Sequence, residues 1–552
     1  MIELSGKGAC GGIAIGKISV FERAEVSVKS REITDTASEK KRYEDAKALA
    51  LQQLGEIRKK ALEELGEENA QIFEIHMMML EDDDYHEAIL EEIEQQHVNA
   101  EYAVSTAADR FAEMFSSMED SYMQARAADV KDISRRLLQC LSQSGTAQQN
   151  TGGEKRIVCA DDLAPSETVS LDKSKVLAFV TAGGSANSHT AILARTMNIP
   201  AVIGVGEKLL KQVKDGDCCI VDGDAGKMIL HPDEETLKAA QRRQAAEYQQ
   251  KQLLLGLKGK ENITLDGTRV EIYANIGSPK DLEAVAANDA GGIGLFRSEF
   301  LYLESKDYPT EEQQFEAYKK VAESMAGKKT VIRTLDIGAD KQAAYFGLDR
   351  EENPAMGMRA IRICLARPQV FKTQLRALYR ASAFGNIAIM FPMITSVSEV
   401  EEILALCREV KHELDAEGAA YSDHVELGIM IETPAAAVIS DRLAPLVDFF
   451  SVGTNDLTQY TLACDRQNPT LERFCDTHHE AILRLIAFAA KNAHENGAWI
   501  GICGELAADT SLTERFLRMG IDELSVSAPR VLQVREAVRK LDLSKPAKEQ
   551  HL

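Results

Sequence analysis

The sequence predicts a multidomain α/β protein in which a helical block interrupts a small α/β unit and a larger α/β unit follows. Three observations predict it. The chain has 552 residues, enough for three or four folding units at roughly 150 residues each. Its texture switches from glycine-rich to a long stretch almost free of Gly and Pro, then to short apolar runs. Its second half carries eight apolar runs of strand length, each followed by helical or loop residues.

Taken in order, residues 8–20 read as a glycine-rich turn and a short strand. From Thr36 a long helix is expected. Thr36 and Glu39 have the spacing of a capping box, and Tyr43, Ala46, Ala50, Leu54, Ile57, Ala61 and Leu65 recur at steps of three and four. Helical texture continues to about Leu141, as a bundle or a pair of hairpins, and a polar run from Ser142 to Gly153 closes it. Short β-type segments, Arg156–Cys159, Lys175–Val180 and Lys227–Leu230, alternate with a helix and complete the small α/β unit. A helix rich in Gln, Glu and Lys, from about Asp233 to Leu257, reads as a connector that separates two bodies. Beyond it lie strand candidates at Arg269–Ala274, Gly292–Phe296, Thr330–Arg333, Ile387–Phe391, Leu427–Ile431, Phe449–Val452, Trp499–Cys503 and Leu524–Ser527. Eight βα units, apolar throughout because parallel strands are covered on both faces, fit a TIM (β/α)8 barrel. The expected division is 1–22 with 146–231 for the α/β unit, 23–145 for the helical insert, 232–260 for the linker, 261–540 for the barrel and 541–552 for a tail.

Composition narrows the function. Lys plus Arg number 64 against 87 Asp plus Glu, a net charge of −23, which disfavours a protein built to neutralise nucleic-acid phosphates. Hydrophobic residues at 45% and charged residues at 27% are ordinary for a soluble chain. No run approaches the roughly 20 apolar residues of a membrane span, so no membrane insertion is expected. The first residues lack the basic and apolar regions of a secretion signal, which makes a cytoplasmic location the expectation. The ten cysteines include no C-x-x-C, so neither a zinc ribbon nor a disulfide framework is expected, and the thiols read as small buried hydrophobes.

A barrel of this kind places its active site where strands end in βα loops. Arg297 follows the second strand, and Arg333 closes the third with Asp336 and Lys341 after it. Glu432 follows the fifth, Asn455 and Asp456 the sixth with Arg466 beyond, and Cys503 and Glu505 end the seventh. Arg359 and Arg362 lie between the third and fourth strands. Guanidiniums gathered at one mouth would repel each other unless an anion sat among them, and their planar fork suits phosphate and carboxylate alike. Glu432 and Asp456 are hard oxygen donors able to hold one Mg²⁺, and Cys503 is a candidate proton donor. In the small α/β unit, the glycine turn at Gly183 and Gly184 puts His189 in the first turn of a helix, where free N–H groups and the dipole favour a phosphoryl group carried on the imidazole.

The string around His189 and the motifs GLFRSEF (294–300), RTLDIGADK (333–341), GIMIETP (428–434), GTNDLTQY (453–460) and ICGEL (502–506) occur in one order along the chain. The whole length resembles Enzyme I of the phosphoenolpyruvate-dependent sugar phosphotransferase system. The resemblance implies that His189 accepts the phosphoryl group of phosphoenolpyruvate (PEP). It also implies that Arg297, Arg333, Asn455 and Arg466 contact PEP, with Arg359 and Lys341 assisting in the same pocket. Glu432 and Asp456 would be the Mg²⁺ ligands, and Cys503 would protonate the enolate to pyruvate. It further implies delivery to the carrier protein HPr, a homodimer, and a large swing of the His189 unit over the barrel. One departure is visible, since Ser185, Ala186 and Asn187 stand where the family usually has Gly-x-Thr ahead of the Ser-His pair. An acidic and apolar face at Glu67, Glu68, Met78, Met79 and Glu81 to Asp84 suits a partner with a basic rim. Two competing readings are a sister dikinase, which needs an ATP-binding domain that no segment here supplies, and a catalytically silent docking relative.

Overall fold

A computed structural model describes residues 1–21, 28–65, 67–118, 121–142, 154–184, 188–197, 199–338, 343–349 and 351–546. The chain forms two compact units, Met1–Gln250 and Lys251–Leu552.

In the first unit, eight strands form one sheet: β1 (Ile2–Ser5), β2 (Lys7–Cys10), β3 (Ile13–Val20), β4 (Arg156–Ala160), β5 (Val176–Thr181), β6 (Ala201–Ile203), β7 (Cys218–Asp222) and β8 (Lys227–Leu230). Their order is β1-β8-β7-β3-β4-β5-β6-β2, with β3 to β6 parallel to one another. The helical block enters between β3 and β4 as α1 (Thr36–Leu65), α2 (Glu67–Glu81), α3 (Asp83–Gln95), α4 (Ala100–Ser116) and α5 (Ser121–Ser142). The predicted face of α1 is its core face, with Tyr43, Ala46, Ala50, Leu54 and Ala61 buried against residues such as Phe73, Ile89 and Leu137. The capping box is not formed as expected. Thr36 is already helical, Asp35 Oδ1 accepts from the Ser38 N–H at 3.0 Å, and the Glu39 carboxylate turns instead to the N–H of Ala100, at the start of α4, at 2.7 Å. An orphan donor of a neighbouring helix wins that carboxylate over its own N-terminus.

Two shorter helices, α6 (Pro165–Ser170) and α7 (His189–Met197), follow β4 and β5. The helix read as a connector spans Glu234–Leu255. Its first half is part of the α/β unit rather than a free spacer. Ala240 is buried with Ile13 and Ile220, Arg243 pairs with Asp222 at 2.6 Å, and Gln244 donates to the Ile13 carbonyl.

The second unit is a closed parallel barrel of β9 (Glu271–Ile276), β10 (Ile293–Arg297), β11 (Thr330–Arg333), β12 (Ile387–Phe391), β13 (Glu426–Ile431), β14 (Phe449–Val452), β15 (Trp499–Ile502) and β16 (Glu523–Ser527). Each strand pairs with the next in sequence, and β16 pairs with β9 to close the ring. All eight predicted strands are present within two residues at either end. The expectation of unpaired cysteines fails at one place: Cys464 and Cys475 form a disulfide with their Cα atoms 6.0 Å apart. A separation of eleven residues carries no short-motif signal, and only the turn after a helix brings the two together.

Candidate active site

The ends of five barrel strands converge on a cavity of about 130 Å³. Arg297 ends β10 and Arg333 ends β11, Glu432 follows β13, Asn455 and Asp456 open the helix Thr454–Leu462 after β14, and Cys503 follows β15. Arg466 completes the lining. Gly453 permits this density, because a Cβ there would stand 2.7 Å from Glu432 Oε2.

The expected mutual repulsion of the arginines is resolved by carboxylates of the chain itself. Arg333 is buried, donates to Glu299 and pairs with Asp336 at 3.0 Å. Burial works against its charge, yet Asp336 and Glu299 more than offset this and hold its basicity above the ordinary value. Arg359 bridges Asp336 at 3.0 Å and Asp456 at 3.6 Å and donates to the Tyr460 hydroxyl at 3.0 Å. It stands behind the cavity rather than in its lining, so its direct part is to hold these carboxylates. Arg362 points away, onto the Met356 and Gly357 carbonyls. Arg466 lies 4.0 Å from Asp456. Arg297 is exposed and forms no ion pair among the described residues, which leaves it as the cation most available to an incoming anion. Lys341 lies outside the described residues.

Two carboxylates at the mouth are poised for a cation. Glu432 is buried and its Oε1 accepts from the Met393 N–H at 2.6 Å. Burial, then the neighbouring Asp456 and Asp336, make it a much weaker acid than an ordinary carboxyl, its pKa held well above the usual range. Asp456 Oδ1 is buried without a hydrogen bond. Among the described residues no three His, Cys, Asp or Glu side chains converge as a metal site, and a metal on this pair would leave positions open to substrate or water oxygens. The pair fits such an ion, because a dication between them removes the like-charge repulsion that raises Glu432. Cys503 Sγ lies 3.6 Å from the Val452 carbonyl, and burial pushes its thiol up to about 12, so the sulfur keeps its proton at neutral pH.

In the first unit, His189 is the first residue of α7, as expected. Ser188 caps that helix, its Oγ accepting from the Ala191 N–H at 3.4 Å. The preceding loop is pinned by Thr181 Oγ1 on the Gly183 carbonyl at 2.8 Å and turns through Gly184 at a φ of +95°. Burial lowers the His189 basicity, with Asp129, Asp132 and Asp162 opposing and His76 reinforcing. His76 is fully buried in α2 and bonds Asp129 at 3.2 Å, Arg126 donates to the other oxygen of Asp129 at 2.9 Å, and Ser166 donates to Asp132 at 2.9 Å. The helical block thus supplies part of the electrostatic surroundings of His189, through His76, Asp129 and Asp132, which residue-by-residue reading did not reveal. Ser185, Ala186 and Asn187 lie outside the described residues.

Residues 251–543 match the family described as PEP-utilising enzyme, PEP-binding domain. Residues 152–226 match its mobile domain and 5–126 its N-terminal domain. The phosphoenolpyruvate-protein phosphotransferase of Priestia megaterium is 43% identical, covering 100% of this chain and 96% of its own. That of Bacillus subtilis strain 168 is 42% identical, covering 98% and 95%. This chain belongs to the phosphoenolpyruvate-protein phosphotransferase family. An NMR solution structure of an Enzyme I (nEIt) protein is 34% identical and covers 44% of this chain and 99% of its own, at a TM-score of 0.39.

Set against that family, the helical block presents the expected acidic and apolar face in part. Met78 is 66% exposed, whereas Met77 and Met79 pack on the core and Leu80 is buried. Glu81, Asp82, Asp83 and Asp84 are exposed, and Asp82 also caps α3 through the Tyr85 N–H. The side chains of Glu67 and Glu68 lie outside the described residues. Glu299, which fixes Arg333, was missed although it stands in the same motif as Arg297; an acid two residues beyond a mouth arginine was the available signal. No helix among the described residues is long and apolar enough to cross a membrane.

Proposed function

We propose that this chain moves the phosphoryl group of PEP onto His189 and from there to a histidine of the carrier HPr, releasing pyruvate. The observation that carries the reading is the barrel cavity, where Arg297, Arg333 and Arg466 stand with Glu432, Asp456 and Cys503. PEP carries a phosphate and a carboxylate, both matched by guanidinium forks. Arg333, immobilised by Glu299 and Asp336, offers a preorganised donor, and Arg297 adds charge with no ion pair to displace among the described residues. Asn455 contributes a side-chain amide at the rim. Glu432 and Asp456 would hold the divalent metal of this family, Mg²⁺ in our reading, which when bound supplies positive charge where phosphate charge develops.

The low basicity of His189 keeps a nitrogen lone pair free to attack phosphorus at neutral pH. The N–P bond forms as the bond from phosphorus to the enol oxygen breaks. The enolate carbon then takes the proton held on Cys503, giving pyruvate, and the thiolate is reprotonated from solvent. The exposed Met78 with its acidic neighbours suits a carrier that has an apolar centre and a basic rim. Arg359 and Lys341 we assign to support of the same pocket, and the working form to a cytoplasmic homodimer.

Incubation with radiolabelled PEP and Mg²⁺ tests the reading. A label stable in base, labile in acid, passed to purified HPr and absent from His189→Ala is expected. Absence of label from the wild-type chain would favour a silent docking relative, and label taken from ATP would favour a dikinase.

A further inference from the structure

The geometry points to a thiol–disulfide exchange site at Cys464 and Cys475 that sets the order of the loop carrying Arg466. The helix Thr454–Leu462 opens with cavity residues Asn455 and Asp456, and it ends where Ala463 takes a left-handed conformation at a φ of +51°. Cys464 follows at once. Gln459 clamps this turn twice, its carbonyl accepting from the Cys464 N–H at 3.0 Å and its side chain from the Arg466 N–H at 3.2 Å. The chain then runs through a 3-10 turn, Pro469–Phe474, and returns to Cys475. The Cα separation of 6.0 Å lies within the range a disulfide spans. The bond therefore closes a small ring that begins two residues beyond the helix bearing Asn455 and Asp456, and whose third residue is Arg466.

Besides the bond, the ties of this loop to the helix include the two Gln459 contacts and the Arg466 to Asp456 approach at 4.0 Å, while within the loop the Cys464 sulfur lies 3.7 Å from the Leu471 carbonyl. The other described side chains of the loop are largely exposed, Phe474 at 55% among them. Cutting the bond enlarges the set of loop conformations, and the state with Arg466 in the cavity lining becomes a fraction of the population. The eight other cysteines are unpaired, so the pair is singled out by its position.

Cys475 is half-buried and Cys464 buried, which orders the chemistry. With a low-molecular-weight disulfide such as oxidised glutathione as co-reactant, the Cys475 thiolate attacks one sulfur of the co-reactant and releases one thiol. The Cys464 thiolate then attacks the mixed disulfide at Cys475 and releases the second. Two protein thiols give one disulfide, their two electrons reduce the co-reactant to two thiols, and their two protons end on those thiols.

The inference rests on the reading of Arg466 as a PEP contact, and the test separates the two. The full chain is poised in reduced and oxidised glutathione, and three quantities are followed: the linked peptides containing Cys464 and Cys475, tryptic cleavage after Arg466 and Arg473, and the KM for PEP. Oxidation is expected to yield the linked peptides, protect both tryptic sites and lower KM by about fivefold with kcat within twofold; reduction reverses all three. Cys475→Ser is expected to behave as the reduced form in both buffers. Absence of linked peptides, or cleavage and KM that ignore the redox poise, overturns the proposal, as does a Cys475→Ser protein that still responds to oxidant. If His189 is never labelled, the functional reading fails, while cross-linking and proteolysis still decide the exchange site.

Discussion

Glu523 sits inside the barrel wall between two glycines that make room for it, since a Cβ at Gly294 or at Gly501 would fall 2.0 Å from one of its oxygens. Burial pushes its carboxyl up to about 8, with Lys329 opposing and Glu271 adding to the rise. The fold therefore keeps a proton that the unfolded chain releases near pH 4.3. That contribution is complete at low pH and is lost as pH rises from the unfolded value through about 8. Glu523→Gln, always neutral, should match wild-type Tm near pH 4 and exceed it by a few degrees at pH 9, with the gap opening between. Parallel Tm curves against pH would refute the assignment. At Cys503 the prediction is kinetic. Cys503→Ser should still load His189 from PEP, because no bond to phosphorus involves the sulfur, but pyruvate release should slow by about 10²-fold. A single turnover followed by both label and pyruvate separates the two steps, and equal slowing of both would remove Cys503 from proton transfer.

At the scale of elements, the barrel strands were legible because each is an apolar run ended by a loop, and the mouth residues were legible because they stand at those ends. What escaped the sequence was pairing across space. The edge strands β1 and β2, KGAC among them, are short and poorly apolar, so their period is invisible, and Glu39 could not be told from a capping residue until its target in α4 was known. Nor could the neighbours of His189 be read, since His76, Asp129 and Asp132 come from two helices of a separate block. Packing inside the barrel is tight enough to test. A Cβ on Gly428 of β13 would meet the Phe449 ring at 2.4 Å. That ring cannot retreat easily, because it stacks on Trp499 at 4.4 Å, and Trp499 is tied to Glu426 at 2.8 Å with Lys329 over its face at 4.7 Å. Gly428→Ala should cost about 1–3 kcal/mol, read as a lowered urea midpoint at unchanged slope. An unaltered midpoint would mean the stack yields freely.

At the scale of the whole molecule, the chain has separate cores in its two units, one around the barrel and others in the helical block and the α/β sheet. The barrel-mouth cavity belongs wholly to Lys251–Leu552, and His189 to Met1–Gln250. Ligand linkage should respect that division. A ligand bound to one folded unit stabilises that unit by about 2.7 kcal/mol at a hundredfold excess over Kd, which for a unit of this size is on the order of 5–10 °C. The measurement is best made on His189→Ala, which cannot consume PEP. Calorimetry of that variant with PEP and Mg²⁺ should shift only the transition of the barrel, and omission of either component should shrink the shift, because in the proposed reading the cation on Glu432 and Asp456 and the anion bind together. Adding Arg297→Ala should nearly abolish the shift while leaving both unliganded transitions in place, since that guanidinium is exposed and forms no ion pair among the described residues. A shift that appears in the first unit, or one that survives the loss of Arg297, would place PEP somewhere other than the mouth of the barrel.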